Sequence, residues 1–168
     1  MKEKMSIIGI GFKLAIMTIL YSIFIVVLGY YIKLDLRINI IPYKFLLILG
    51  TILLIVGIPF LIVSMITLNK AYKADSLKTD GIYSICRHPL YSSWILFIVP
   101  GVVLIFNSWT LLTVPIVMFF IFNVLIKEEE SFLQNKFGEE YISYKKKVSL
   151  LFPMFWKYKR KKHKRTRE

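Results

Sequence analysis

Two long stretches without a charged side chain constrain what this chain can fold into. They cover residues 14–32 and residues 45–68. The hydrocarbon core of a bilayer is about 30 Å thick, and a helix needs about 20 apolar residues to cross it with every backbone polar group bonded inside the segment. Both stretches therefore predict transmembrane helices, and Gly50, Gly57 and Pro59 in the second favour close packing or a kink.

A secretory signal peptide is the alternative interpretation of the first stretch. Its apolar run is too long for the core of a signal peptide, and no small-residue cleavage site follows it. A transmembrane helix is therefore the favoured interpretation.

Two further apolar stretches, residues 91–106 and 110–126, are separated by Asn107, Ser108 and Trp109. This polar break with an interface-seeking indole predicts a tight helical hairpin. Hydrophobic residues make up 57% of the chain, more than the about 45 to 50% of a soluble domain. We expect an all-α integral membrane protein with about four transmembrane helices, a helical hairpin and a cytoplasmic amphipathic C-terminal helix.

The distribution of Lys and Arg predicts the orientation of these helices. Residues 1–13, 69–90 and 127–168 hold 3, 4 and 13 of them, residues 33–44 hold the other 3, and the hairpin tip holds none. Cytoplasmic segments carry the excess of basic residues. Both termini and the loop after the second helix should therefore be cytoplasmic, where that loop and the C-terminal region can meet.

The C-terminal region divides into two parts. In residues 127–151 apolar positions recur at spacings of 3 and 4, which predicts an amphipathic helix near the membrane surface, with a break at Gly138; these positions are Phe132, Leu133, Phe137, Tyr141, Tyr144 and Val148. Residues 157–167 carry eight cations beside Phe152, Phe155 and Trp156. Anionic lipid head groups are the favoured partner of this basic tail over RNA, and no nucleic-acid partner is expected.

A dense polar run, residues 77–91, precedes the third apolar stretch. Pro89 restricts His88 to an extended or turn conformation and can itself occupy the first turn of a helix. The free N–H groups at such a helix start suit an anion, and Arg87 and His88 add donors there. The alternative is that Arg87 pairs with a lipid phosphate and His88 only caps the turn.

Three consecutive carboxylates, Glu128, Glu129 and Glu130, lie where the fourth apolar stretch ends. One interpretation is solvated pairing with Lys127 or Lys136, each pair worth at most about 0.5 kcal/mol. The other is that one carboxylate faces Arg87 and His88 and holds an ammonium or another polar ligand. The predicted topology favours a site, because it places both groups at the same surface.

The chain has a single cysteine, Cys86, and no cluster of Cys and His with metal-ligand spacing, so neither an internal disulfide nor a metal site is expected.

These regions contain two gapped motifs. The first motif is Leu77-x3-Gly81-x-Tyr83-x3-Arg87-His88-Pro89-x-Tyr91, and the second is Glu129-Glu130-x2-Leu133-x3-Phe137-Gly138-x2-Tyr141-x2-Tyr144-x3-Val148, followed by Pro153. Together they resemble the membrane superfamily of isoprenylcysteine carboxyl methyltransferases and phospholipid methyltransferases. The resemblance covers residues 77–153, about half of the chain.

The resemblance implies a helical membrane enzyme that binds S-adenosylmethionine in a cytoplasmic pocket without a Rossmann domain. Carried over to this sequence, the cofactor-binding residues are Leu77, Lys78, Tyr83, His88, Pro89, Leu90, Tyr91 and Glu129. His88 and helix N–H groups would meet the methionine carboxylate, Glu129 the α-ammonium or the ribose, and Tyr83 or Tyr91 the adenine or the sulfonium.

Catalysis in such an enzyme would rest mostly on positioning and on the removal of water. Glu130 is the candidate base for an amine acceptor, and Arg87 the candidate group for neutralising an acceptor carboxylate.

Two departures from the family's pattern concern the acceptor. Leu125 stands where related enzymes often carry an Arg, and Ser92 and Ser93 replace the usual Gly.

The predicted organisation is two N-terminal transmembrane helices in residues 1–68, a methyltransferase core in residues 69–153 and a basic tail in residues 154–168. The favoured function is methyl transfer to a lipophilic acceptor that reaches the pocket from the bilayer, with an isoprenylcysteine carboxylate as the leading acceptor. The alternatives are a phospholipid amine, a small thiol, or a non-catalytic membrane scaffold with a lipid-binding tail. The Ile- and Lys-rich composition suggests an AT-rich bacterial genome and the bacterial cytoplasmic membrane.

Overall fold

Four long helices dominate the part of the chain that the structure, a computed structural model, describes, namely residues 10–32 and 37–154. They are α1 (Gly11–Ile32), α2 (Tyr43–Lys73), α3 (Pro89–Phe106) and α4 (Thr113–Lys145). A single 3-10 turn, Gly81–Ser84, lies in the loop between α2 and α3. Residues 1–9, 33–36 and 155–168 lie outside the described residues, and with them Phe155, Trp156 and the predicted basic segment 157–167.

Three of these helices, α1, α2 and α3, are long and apolar enough to cross a membrane. The all-α membrane architecture predicted from the sequence is thereby confirmed. The uncharged part of α4, residues 113–126, corresponds to about 20 Å of helix at about 1.5 Å per residue. That is shorter than the about 30 Å of a hydrocarbon core, and the fourth transmembrane crossing stays a prediction.

The predicted hairpin between α3 and α4 is present. It turns at Asn107, which has left-handed backbone angles (φ 53°, ψ 49°) and ends α3. Within α3, residues Ser93–Ile98 form a π-helical segment. Pro100 follows this segment, and because proline has no N–H it cannot donate the regular hydrogen bond to the preceding turn. Because the hairpin turns at Asn107, α3 and α4 run antiparallel. The start of α3 therefore lies at the same level as residues 126–130 of α4.

Glycines bring α2 and α3 close together. A Cβ added to Gly50 would lie 2.6 Å from the carbonyl oxygen of Gly101, and one added to Gly57 would lie 2.6 Å from the Cβ of Phe97. Only residues without a side chain permit this backbone separation. The close packing predicted for α2 is thus observed, and it holds α2 along α3.

Helix α1 packs on α4 instead. Leu14 of α1 lies in one buried cluster with Met118, Phe122 and Ile126 of α4. The hydroxyl of Tyr21 donates a hydrogen bond to Thr113 Oγ1 at 2.9 Å. No comparable packing joins α1 to α2 in residues 10–32 and 43–73. A cleft therefore separates these two helices, and residues of both line one cavity.

The C-terminal half of α4 turns back over the loop before α3. The helix is interrupted at Gly138, where φ is 53° and ψ is −130°, and this confirms the predicted break. Beyond it, Tyr141, Tyr144 and Val148 form a second buried cluster with Leu77. These apolar positions of the predicted amphipathic helix are buried, and they cover the polar loop 77–88.

Residues 148–154 then run along the segment that leads into α3. The Arg87 N–H donates to Ser149 O at 2.8 Å, the His88 N–H donates to Leu150 O at 3.2 Å, and the Met154 N–H donates to Ile85 O at 2.9 Å. These bonds fix the backbone on both sides of Arg87 and His88. The polar loop is therefore held by chain that follows it by about 60 residues.

Candidate functional site

The start of α3 and the charged turns of α4 meet at one end of the bundle, which we call the polar end. Pro89 is the first residue of α3 and His88 is its cap, with φ −124° and ψ 64°. The antiparallel hairpin places Glu129 and Glu130 of α4 against this helix start. The sequence predicted this meeting from topology, and the structure brings the two groups into direct contact.

His88, Tyr91 and Glu129 form the centre of the polar end. The hydroxyl of Tyr91 donates to Glu129 Oε2 at 2.9 Å, and His88 Nδ1 lies 3.5 Å from Glu129 Oε1. His88 is 5% exposed, and its Nε2 has no hydrogen-bond partner in the described part of the chain. The His88 ring packs beside the rings of Tyr91 and Phe122, at centroid distances of 5.9 and 6.3 Å.

Glu130 belongs to a separate cluster of charges. It forms an ion pair with Arg87 Nη1 and a second one with Lys145 Nζ at 2.8 Å. Tyr141 donates its hydroxyl hydrogen to Glu130 Oε1 at 3.1 Å, and Arg87 Nε donates to Val148 O at 3.0 Å. This cluster ties the loop before α3 to both halves of α4, across the break at Gly138.

Burial and charge act in opposite directions on the ionisable groups of the polar end. Burial raises the pKa of Glu129, but hydrogen bonds from His88 and Tyr91 and the charge of His88 outweigh it, so its pKa is lowered. For Glu130 burial is likewise outweighed, by His88, Lys145 and Arg87, and its pKa falls to about 2. Burial lowers the pKa of His88, yet the two carboxylates raise it overall. The geometry therefore favours a protonated His88 between two ionised carboxylates.

A cavity of about 1740 Å³ opens beside this cluster and runs along the helices. At the polar end its wall includes Tyr83, His88, Tyr91 and Glu129. Towards the other end it continues between α1 and α3, past side chains that are mostly apolar, among them Leu14, Ile98, Val102 and Phe106. One cavity thus joins a buried polar cluster to an apolar passage at the depth of the transmembrane helices.

Most of the residues predicted as a binding site line this cavity. They are Leu77, Lys78, Tyr83, Arg87, His88, Leu90, Tyr91 and Glu129. Pro89 is fully buried and lies outside the cavity wall, and its predicted part in cofactor binding stays a prediction. Its contribution is to begin the helix beside His88.

Glu130 also lies outside the cavity wall. Its role as a general base for an amine acceptor stays a prediction. Ion pairs to Arg87 and Lys145 occupy the carboxylate, and a pKa of about 2 makes it a weak base. The arrangement favours a structural role for Glu130.

Sequence reasoning missed the part that α1 takes in the site. Gly11 lines the cavity next to Tyr91, and Lys13 pairs with Glu128 at 3.1 Å. No local sequence signal marks these residues, because their neighbours in space are about 80 to 115 positions away. Lys145 was missed for the same reason, although its spacing from Tyr141 places both on one face of the helix.

Comparison with known proteins yields one family and several relatives. The family described as phospholipid methyltransferase matches residues 45–140, more than half of the chain. A protein-S-isoprenylcysteine O-methyltransferase of Xenopus laevis is 36% identical over 85 residues, which are 51% of this chain and 30% of that protein. The protein of that name from Schizosaccharomyces pombe is 34% identical over 91 residues, covering 54% of this chain and 39% of that protein.

A probable protein-S-isoprenylcysteine O-methyltransferase of Oryza sativa subsp. indica is 28% identical over 115 residues, which are 63% of this chain and 60% of that protein. The chain thus spans about a third of the length of the Xenopus and Schizosaccharomyces relatives. No solved structure matches the chain significantly.

Proposed function

The chain belongs to the phospholipid methyltransferase family, and from this premise we propose that it transfers a methyl group from S-adenosylmethionine to a lipophilic acceptor in the membrane. The leading acceptor class is the carboxylate of an isoprenylated cysteine, after the names of the relatives. One observation carries the proposal. The cavity that contains the buried His88, Tyr91 and Glu129 cluster is continuous with an apolar passage at transmembrane depth.

The residues at the polar end suit the donor chemically. Glu129 is ionised and can accept hydrogen bonds from an ammonium group or from ribose hydroxyls. A protonated His88 can donate to a carboxylate; its Nε2 has no hydrogen-bond partner within the described residues, and Glu130 Oε1 lies 3.7 Å from it. The rings of Tyr83 and Tyr91 can pack on an adenine or face a cation. S-adenosylmethionine, when bound, supplies a methyl group activated by its sulfonium.

The protein's own contribution to the reaction is positioning and the exclusion of water. Tyr91 and His88 hold Glu129 from two sides, so that its carboxylate is fixed before a ligand binds. The apolar wall beyond Tyr91 keeps water from the point where the polar and apolar parts of the cavity meet. A carboxylate acceptor already carries the attacking lone pair, so no general base is required.

Arg87 is the cation available for an acceptor carboxylate. A guanidinium has five N–H donors, and the protein engages donors on Nε and Nη1 through Val148 O and Glu130. Arg87 also lines the cavity, so its remaining donors can meet a negatively charged acceptor. The acceptor's hydrocarbon chain would enter through the cleft between α1 and α2, where these helices do not pack together.

The proposed location is a bacterial cytoplasmic membrane, with both termini and the polar end on the cytoplasmic side. The support is the excess of Lys and Arg in residues 69–90 and 127–168. The same excess in residues 157–167 suits anionic lipid head groups better than nucleic acid. Membrane attachment at the tail would keep the polar end close to the surface.

Titration calorimetry of S-adenosylmethionine into the detergent-purified full chain tests the proposal. We expect saturable binding that is lost in Glu129→Ala. Glu128→Ala is the matched control, because Glu128 is the neighbouring carboxylate and its exposed pair with Lys13 lies outside the cavity wall. If a folded wild-type protein binds no donor, the enzymatic proposal fails and a non-catalytic scaffold takes its place.

The acceptor is tested separately, by transfer of a labelled methyl group to defined compounds. We expect transfer to an S-farnesylcysteine derivative with a free carboxylate and none to its methyl ester. The family's description as phospholipid methyltransferase makes phosphatidylethanolamine the second compound to examine, and a small thiol is the third. Transfer only to the phospholipid amine, or only to the thiol, would show that the proposed acceptor is wrong. S-adenosylmethionine would remain the methyl donor.

A further inference from the structure

The N-terminal turn of α1 touches the centre of the candidate site. Ile10 and Leu14 are 3% and 2% exposed and lie in the same buried cluster as Tyr91, Phe122 and Ile126. The backbone of Ile10 also contributes to the lowered pKa of Glu129. Helix α1 lies outside residues 45–140, which the family match covers. This contact is therefore a property of the chain beyond the matched region.

Gly11 is the residue of this turn that faces the cavity directly. A Cβ placed there would lie 3.6 Å from Tyr91 Cε1 and 3.9 Å from the Tyr91 hydroxyl oxygen. These are ordinary van der Waals distances, so alanine fits without a shift. A longer side chain has to enter the cavity or displace the Tyr91 ring, which holds Glu129 through its hydroxyl.

We infer that the N-terminal turn of α1 is a positioning element of the donor site, with Ile10 and Gly11 packed beside Tyr91, whose hydroxyl bonds to Glu129. The inference rests on the proposed function, because it assigns a role in binding the methyl donor. The two residues act through Tyr91 and Glu129.

The experiment compares three variants of the full chain by calorimetric titration with S-adenosylmethionine. Gly11→Leu should weaken donor binding by about tenfold or more, the range expected when a side chain is forced into a packed site. Gly11→Ala should bind like the wild type. Ala74→Leu is the matched control for added bulk, because Ala74 is exposed and lies outside the cavity wall, and it should leave donor affinity unchanged.

A second measurement does not depend on how well Gly11→Leu folds. In a Cys86→Ser background, the thiol of Gly11→Cys is labelled with a water-soluble maleimide, and we expect S-adenosylmethionine to slow the labelling. Equal donor affinity in Gly11→Leu and the wild type, or labelling that the donor does not slow, would overturn the inference and leave the proposed function intact. A wild-type protein that binds no donor would contradict both the inference and the proposed function.

Discussion

The hydroxyl of Tyr91 donates a hydrogen bond to Glu129 Oε2 at 2.9 Å, and this bond joins the first turn of α3 to α4 at the polar end of the bundle. His88 Nδ1 lies 3.5 Å from the other oxygen of the same carboxylate. His88, the cap of α3, and Tyr91, three positions later in its first turn, therefore contact both oxygens of one side chain. This fixed carboxylate is the feature on which the proposed donor site depends.

Removing the Tyr91 hydroxyl tests this relationship. We expect Tyr91→Phe to weaken donor binding by about tenfold, because a hydrogen bond to a charged group is worth about 1.5 to 3 kcal/mol. Titration calorimetry measures the change. Tyr43→Phe is the matched control, since its hydroxyl bonds to Ile105 O at the opposite end of the bundle, and its affinity should equal that of the wild type.

The Glu130 cluster should contribute to stability. Glu130→Gln leaves Arg87 buried without its partner, at a cost of about 3 kcal/mol, and we expect a lower free energy of unfolding in denaturant titrations. Glu128→Gln, which changes an exposed carboxylate, should alter it by less than about 0.5 kcal/mol. Equal stability of the two variants would contradict the role of the cluster.

The same cluster predicts the behaviour of the protein in acid. The folded pKa of Glu130, about 2, lies below its ordinary value near 4.5. Its contribution is therefore present above pH 4.5 and is lost as the pH falls towards 2. The stability difference between the wild type and Glu130→Gln should shrink over this interval, whereas a constant difference would assign the effect to packing.

The raised pKa of His88 predicts that the protein loses stability as the pH rises above neutral. Glu129 and Glu130 raise its pKa above 6.5 although burial opposes this. The stabilisation is therefore fully present below about pH 6.5 and is lost as the pH rises through the raised value. Between pH 6 and 9 we expect the unfolding free energy of the wild type to fall more steeply than that of His88→Gln. His163→Gln, at the second histidine of the chain, should behave like the wild type.

The glycine contact between α2 and α3 yields a prediction about the fold alone. An added Cβ at Gly50 meets the Gly101 carbonyl oxygen at 2.6 Å, so Gly50→Ala must push the helices apart. We expect a loss of about 1 to 3 kcal/mol in unfolding free energy. Thr51→Ala, at the exposed neighbouring position, should have almost no effect.

Several features followed from the sequence because they depend on local periodicity and on the solvent. Uncharged stretches of sufficient length predicted α1 and α2, the break at residues 107–109 predicted the hairpin, and the spacing of apolar residues predicted the covered face beyond Gly138. The hairpin in turn predicted that His88 and Glu129 would meet. Each of these conclusions requires only the geometry of a helix and the need to bond every backbone group inside a membrane.

The tertiary structure alone decided which partner each polar group takes. Spacing and charge could not separate the roles of Glu129 and Glu130, two adjacent carboxylates of the same type, and only the resemblance to a family assigned them different roles. Their side chains leave α4 in different directions, so Glu129 faces the cavity with Tyr91 and His88, while Glu130 pairs with Arg87 and Lys145. The contact of Gly11 with Tyr91 likewise arises between helices about 80 positions apart. Such contacts depend on how whole helices pack against one another, and no local pattern in the chain encodes that arrangement.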